Sequence, residues 1–257
     1  TELLSLSEPT GLLGTASVTD SVDCFGTNTG EITFTVDLIQ TGVPSYQYST
    51  DNGVNFQSSN VFSNLNGDLN YNVIIEDNNG CQFISAVYLA EPTQIIYSTI
   101  LSDYNGYEVS CNGLSDGSIN FDSTNGGLVP YTYSIDGGVV FDTATSYTNL
   151  TQGNYNIEVK DASGCIQVSV DALTQPGIFS LPYVVSNAID CPGDCNGAIS
   201  INPLNGVGQE LYFINTGAQQ TTPYFSGLCG DITNGSYILN AVDDNGCAAS
   251  VPISISE

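Results

Sequence analysis

The chain repeats itself. Ile75-Glu76-Asp77-Asn78-Asn79-Gly80-Cys81 returns as Val159-Lys160-Asp161-Ala162-Ser163-Gly164-Cys165 and again as Val242-Asp243-Asp244-Asn245-Gly246-Cys247. The three closing cysteines stand 84 and 82 residues apart. A leading cysteine keeps step with them: Cys24, Cys111 and Cys191 each lie six residues before a glycine, Gly30, Gly117 and Gly197. Self-similarity at a fixed period means an array of like folding units, so the 257 residues divide into three units of about 80. Units of that size bury a modest core and commonly need a covalent staple.

Within a unit the apolar residues alternate. Gly117-Ser118-Ile119-Asn120-Phe121, Pro130-Tyr131-Thr132-Tyr133-Ser134-Ile135 and Gly153-Asn154-Tyr155-Asn156-Ile157-Glu158-Val159 all carry the period of two of a half-buried strand. Asp136-Gly137-Gly138 turns the chain between two of them. No window shows a helical stripe, and short strands with closely spaced Gly, Asn and Asp turns indicate a sandwich of about seven strands per unit. A leucine, a turn and then Tyr71, Tyr155 or Tyr237 opening a strand matches the tyrosine corner of immunoglobulin-like sandwiches. The fold class is therefore all-β: tandem immunoglobulin-like β-sandwich domains in a linear array.

The unit boundaries fall at 10–92, 93–176 and 177–257, with residues 1–9 read as the last strand of a preceding repeat. Leu4-Ser5-Leu6-Ser7-Glu8-Pro9-Thr10 parallels Val87-Tyr88-Leu89-Ala90-Glu91-Pro92-Thr93, which implies a natural protein longer at both ends. Junctions of one proline (Glu91-Pro92-Thr93, Gln175-Pro176-Gly177) fix φ and contain no floppy tract. Three sandwiches joined end to end make a rod roughly 100 Å long.

Eight cysteines, an even number, fit an oxidised extracellular framework. If each unit has one fold, the recurring pair closes within it as Cys24–Cys81, Cys111–Cys165 and Cys191–Cys247. Cys195 and Cys229 then remain and pair with each other. A zinc site at Cys191 and Cys195 would need partners, and the chain has no histidine and no second close cysteine pair to match.

Charge excludes further classes. With 27 acidic residues, one lysine and a formal charge of −26, the surface cannot neutralise phosphates, which argues against nucleic acid and anionic membranes as partners. No run of 18 apolar residues is present to insert into a membrane. Lacking histidine and arginine, the chain has no Ser-His-Asp set, no Cys-His set and no phosphate clamp, so it reads as a non-enzyme with no cofactor. Calcium is the alternative ligand, through Asp51-Asn52-Gly53, Asp136-Gly137-Gly138 and Asp243-Asp244-Asn245, although an Asp-Gly pair is ordinarily just a turn.

Cys111-Asn112-Gly113 through Gly117, then Pro130-Tyr131-Thr132-Tyr133-Ser134, Asn149-Leu150, Gly153-x-Tyr155 and Val159-x-Asp161-x-x-Gly164-Cys165, together resemble the SprB-type repeat of Bacteroidota surface proteins. The first unit departs from that pattern at Val43-Pro44-Ser45-Tyr46, and the third lacks the Pro-Tyr start and adds Cys195 and Cys229. The resemblance implies a large adhesin exported by the type IX secretion system and used in gliding, located at the extracellular cell surface. It also implies O-glycosylation signals at Asp20-Ser21-Val22, Asp122-Ser123-Thr124 and Asp142-Thr143-Ala144, with Ser21, Ser123 and Thr143 as acceptors.

The expected function is a stiff, disulfide-stapled stalk whose partners are the adjacent repeats of the same polypeptide. In one rival reading the repeats themselves bind surface polysaccharide, with Tyr104 and Tyr107 as exposed loop aromatics, or calcium. In the other the chain is a filament subunit donating residues 1–9 as a strand.

Overall fold

The computed structural model describes residues 11–191, 194–229 and 237–255. The segment 1–9, expected to be a strand, lies outside them. Among the described residues the chain is all-β, as its alternation predicts, with six three-stranded sheets, two for each sequence repeat.

In the first repeat β1 (Leu12–Asp20), β2 (Gly30–Thr41) and β4 (Val61–Leu65) form one sheet in the order β1-β2-β4. The facing sheet holds β3 (Gln47–Ser49), β5 (Leu69–Glu76) and β6 (Gln82–Leu89) in the order β3-β5-β6. The second repeat supplies β7 (Ile96–Leu101), β8 (Gly117–Asn125) and β9 (Thr132–Ser134). It continues with β10 (Ser146–Leu150), β11 (Gly153–Lys160) and β12 (Ile166–Leu173), ordered β10-β8-β7 and β12-β11-β9. The third has β13 (Tyr183–Asn187), β14 (Gly197–Ile201) and β15 (Leu211–Ile214). It ends with β16 (Tyr224–Leu228), β17 (Tyr237–Val242) and β18 (Ala248–Ile253), in sheets β13-β14-β16 and β15-β17-β18.

Among the described residues each repeat thus has six strands, against the seven or so expected. A single antiparallel bridge also recurs in each: Tyr48 with Gln57, Tyr133 with Asp142, Tyr212 with Gln220.

The alternating residues meet between the sheets. Ile32 and Phe34 of β2 pack with Tyr48, Val73, Ile75 and Val87 from the opposite sheet. Ile199, Ile201, Tyr212, Leu239 and Ile253 do the same in the third repeat. In the second, the Phe121 and Tyr133 rings lie 4.4 Å apart between centroids. Excluding water from such side chains is worth about 1.5–3 kcal/mol each and is the main stabilising term.

The recurring glycine after the leading cysteine has a steric cause. Gly30, Gly117 and Gly197 pair with Leu65, Leu150 and Leu228 at irregular registers. A Cβ on them would lie 3.2, 3.0 and 2.8 Å from those leucines' carbonyl oxygens, and 2.4 Å from a Leu89 methyl at Gly30. Ahead of each leucine, Asn64, Asn149 or Gly227 takes positive φ, which Asn and Gly tolerate best and which closes the bulge. Gly117→Ala is expected to destabilise its sandwich by about 1–3 kcal/mol through overpacking, read as a lower urea midpoint at unchanged slope.

The tyrosine corners are present. The Tyr71 and Tyr155 hydroxyls donate to the carbonyls of Asn66 and Thr151, each at 2.9 Å. The Tyr237 hydroxyl accepts from the Cys229 amide at 3.0 Å.

The chain folds as two compact units. Among the described residues, one comprises those up to 96 with segments 124–132 and 159–167 of the second repeat; the other holds 97–123, 133–158 and those from 168 onward. Two loop regions of the second repeat are thereby gathered onto the first.

Candidate functional site: the cysteine hairpins and leading turns

Asp77, Asp161 and Asp243 are 5 %, 5 % and 6 % exposed, and among the described residues they are the buried charged groups. Their burial is tolerated because the loops around them point amides inward. Oδ1 of each accepts the amide of its closing cysteine, at 2.9, 2.9 and 2.8 Å for Cys81, Cys165 and Cys247. It also accepts the amides of Asn79, Ser163 and Asn245. Oδ2 takes an amide from a distant loop: Val43 at 2.8 Å, Leu128 at 2.9 Å and Val207 at 3.0 Å. The glycine before the cysteine has φ of +79°, +93° and +83°, which lets the hairpin enter its last strand.

These bonds act on the titration. The Val43 amide leads the donors that hold the Asp77 carboxyl below the ordinary carboxylate range against its burial. For Asp161, burial pushes the carboxyl up. The amides of Leu128 and Cys165 and the Ser163 hydroxyl outweigh it and leave the group lowered. A depressed folded value contributes stability above about pH 4 that is lost as pH falls through it. Asp161→Ala, which strands those donors, should cost about 2–4 kcal/mol at neutral pH. Between about pH 6 and pH 3 the wild type should lose its advantage over Asp161→Asn, read as converging urea midpoints; a constant gap would contradict this role.

The leading cysteines sit in a second recurrent frame. Their carbonyls accept the amides of Thr27, Leu114 and Asp194 at 3.1, 3.2 and 3.0 Å. The residue before each junction proline clamps that turn. Glu91 Oε1 accepts the Gly26 amide at 2.6 Å, and Gln175 Oε1 accepts the Gly113 amide at 2.8 Å. Sequence reasoning missed Glu91 and Gln175, because a residue beside a junction proline reads as linker. The signal was there in two copies: a long polar acceptor before each Pro.

Of the four expected pairs only Cys195–Cys229 forms, and these frames overturn the other three. The disulfides are Cys24–Cys165, Cys111–Cys247 and Cys195–Cys229. Cys81 and Cys191, expected to be bonded, are free exposed thiols. Neither Cys24–Cys81, Cys111–Cys165 nor Cys191–Cys247 forms. The reason lies in strand length. Cys81 precedes β6, whereas Glu91, which holds the Cys24 turn, follows it. Eight extended residues span about 26 Å, and a disulfide needs Cα atoms within about 7 Å. A leading turn therefore meets the hairpin of the next repeat, with Cα–Cα 5.6 Å in both bridges.

The two seams are alike. In each, the trailing sulfur lies 3.2 Å from the carbonyl oxygen of the residue before the leading cysteine, Asp23 or Ser110. Cys24, Phe25, Pro92, Ile95, Cys165 and Ile166 line a small hollow beside the first bridge. At the second, the Asn245 amide donates to the carbonyls of Tyr104 and Ser110 and accepts from Asn105.

The other candidate residues lie elsewhere. Asp51 Oδ1 accepts from the Ser49 hydroxyl and the Asn55 amide, and Asp136 Oδ1 from the Ser134 hydroxyl and the Val139 amide. Asp51 is lowered to about 2, the Asn55 amide being the main cause. Asp244 accepts the Gln209 amide. These acids are thus engaged by their own turns and a neighbouring loop, and among the described residues no three His, Cys, Asp or Glu side chains converge as a metal site would need. Tyr104 and Tyr107 are half-buried rather than exposed, and the Tyr104 hydroxyl donates to the Asp116 carbonyl. Ser21 and Thr143 are exposed outside the strands; Ser123 is exposed on β8, its hydroxyl 2.9 Å from that of Ser98.

Three solved structures illustrate the similarities found. The C-terminal 282-residue fragment of intimin, solved with the translocated intimin receptor intimin-binding domain, is 9 % identical with a TM-score of 0.30, over 73 % of this chain and 57 % of that one. Protocadherin gamma B2 extracellular cadherin domains 3–6 are 12 % identical at a TM-score of 0.27, over 93 % and 72 %. The N-terminal eight immunoglobulin domains of Down syndrome cell adhesion molecule are 12 % identical at 0.26, over 95 % and 42 %. A search of curated protein sequences gives no match. Residues 108–140 match the family model of the SprB repeat, the same family that the motifs of the middle unit resemble.

Proposed function

We propose that the chain is a non-enzymatic repeat segment of a large secreted cell-surface adhesin, acting as a stiff stalk in surface attachment and gliding. The observation that carries this reading is the pairing of Cys24 with Cys165 and of Cys111 with Cys247: each bridge ties a leading turn to the hairpin of the following repeat. Tension applied along such a chain passes through covalent bonds, not only through sheet hydrogen bonds. The SprB repeat match over 108–140 supports the surface setting. The filament reading finds no support in the third repeat, whose β18 pairs with β17 from Ala248 to Ile253. Glycans on Ser21, Ser123 or Thr143 belong to the same proposal, and an intact mass equal to the bare chain after purification from the native host would refute them.

Adsorption of the oxidised chain to polysaccharide and glass, with calcium and with chelator, tests the reading. A stalk gives no saturable binding in either condition. Saturable binding would place adhesion in the repeats, and its loss in chelator would make the aspartate loops calcium ligands.

A further inference from the structure

Each bonded seam joins one leading cysteine, in its turn, to one trailing cysteine, in its hairpin. One cysteine of each kind is left, Cys191 and Cys81, both exposed thiols. The described parts of their frames match those of the bonded cysteines. The Cys191 carbonyl accepts the Asp194 amide at 3.0 Å, as those of Cys24 and Cys111 accept Thr27 and Leu114. Around Cys81, Asp77 accepts the Cys81 and Asn79 amides, and the Asp77 amide donates to the Cys81 carbonyl at 3.0 Å. The hairpins of Cys165 and Cys247 show the same pattern at 3.0 and 3.1 Å. Where a leading turn covers them, Cys165 and Cys247 are 8 % and 7 % exposed; Cys81, in the same frame, is open to solvent.

We propose that Cys191 and Cys81 are the two complementary halves of one further seam, and that a second copy of this chain is the partner, joined head to tail by a Cys191–Cys81 disulfide. The contact is heterologous, so each copy offers one half at either end of the exchange and growth continues beyond the dimer unless a ring closes. The step balances with a small-molecule disulfide such as oxidised glutathione as oxidant. The Cys191 thiolate attacks it and releases one glutathione thiol; the Cys81 thiolate displaces the second, forming the protein disulfide. Two protein thiols are oxidised and one glutathione disulfide is reduced to two thiols. In a polypeptide with further repeats the same chemistry pairs each leading cysteine with the hairpin of the repeat after it, favoured by tethering. The inference does not depend on what the adhesin attaches to.

The test uses two variants, Cys81→Ser and Cys191→Ser, one isotopically labelled, mixed in equal amounts in a glutathione redox buffer. Both positions are exposed and unbonded, so the three disulfides of each variant are untouched. The mixed dimer should exceed the two like dimers combined by about tenfold, a preference of about 1.4 kcal/mol. Peptic mapping should place the bond between Cys191 and Cys81, and the wild type alone should form a ladder of species that reductant collapses. Dimers in statistical proportion, a majority of like pairs, or no disulfide-linked dimer at all would overturn the proposal.

Discussion

Complete reduction is expected to lower the melting temperature by roughly 10–20 °C, and each inter-repeat bridge should account for a separable share. The two bridges close loops of 141 and 136 residues. On the chain-entropy argument a loop that long removes about 5 kcal/mol of unfolded-state freedom, against about 4 kcal/mol for Cys195–Cys229 with its separation of 34. For a compact unit of this size 1 kcal/mol moves the midpoint by about 2–6 °C, and engineered losses usually fall short of the full entropic value. The paired variants Cys24→Ser with Cys165→Ser, and Cys111→Ser with Cys247→Ser, isolate the contributions by calorimetry. Midpoints that ignore reductant would show that the bridges constrain nothing.

The second large effect is mechanical. The loops interlace: Cys111 lies inside the span from Cys24 to Cys165, and Cys165 lies inside the span from Cys111 to Cys247. The shortest covalent route from Cys24 to Cys247 therefore crosses to Cys165, returns to Cys111 and crosses again, leaving about 54 residues to extend. At 3.6 Å per residue that is about 190 Å, against about 800 Å for the reduced chain between the same two points. Pulling single oxidised molecules should extend the stretch between these two points to roughly a quarter of the contour length it reaches in reductant. Equal lengths would remove the mechanical basis of the stalk reading.

Much of this was legible in the residues. The strands announced themselves because alternation and turn chemistry are local: Ile119 and Phe121 point one way, and Gly137 turns the chain. Tyr71, Tyr155 and Tyr237 could be assigned to corners because the leucine, turn and tyrosine stand together in the sequence. Asp77, Asp161 and Asp243 act just as locally, accepting amides two and four residues on. The disulfide partners were not legible from the period. A cysteine repeated at a fixed interval has the same spacing pattern whether it bonds its own unit or the next. What decides is three-dimensional: β6 carries the chain away from Cys81 to the end where Glu91 holds the Cys24 turn. Tyr104 was misread for a related reason: its hydroxyl bonds the Asp116 carbonyl, twelve residues on.

Disulfide mapping under non-reducing conditions tests the interlaced framework most directly. Pepsin suits the task, because acid suppresses thiolate exchange and a chain with one lysine and no arginine gives trypsin almost nothing to cut. The account predicts one linked peptide pair containing Cys24 and Cys165 and another containing Cys111 and Cys247, with Cys81 and Cys191 alkylated in monomeric protein. Linked pairs of Cys24 with Cys81 and of Cys111 with Cys165 would contradict it.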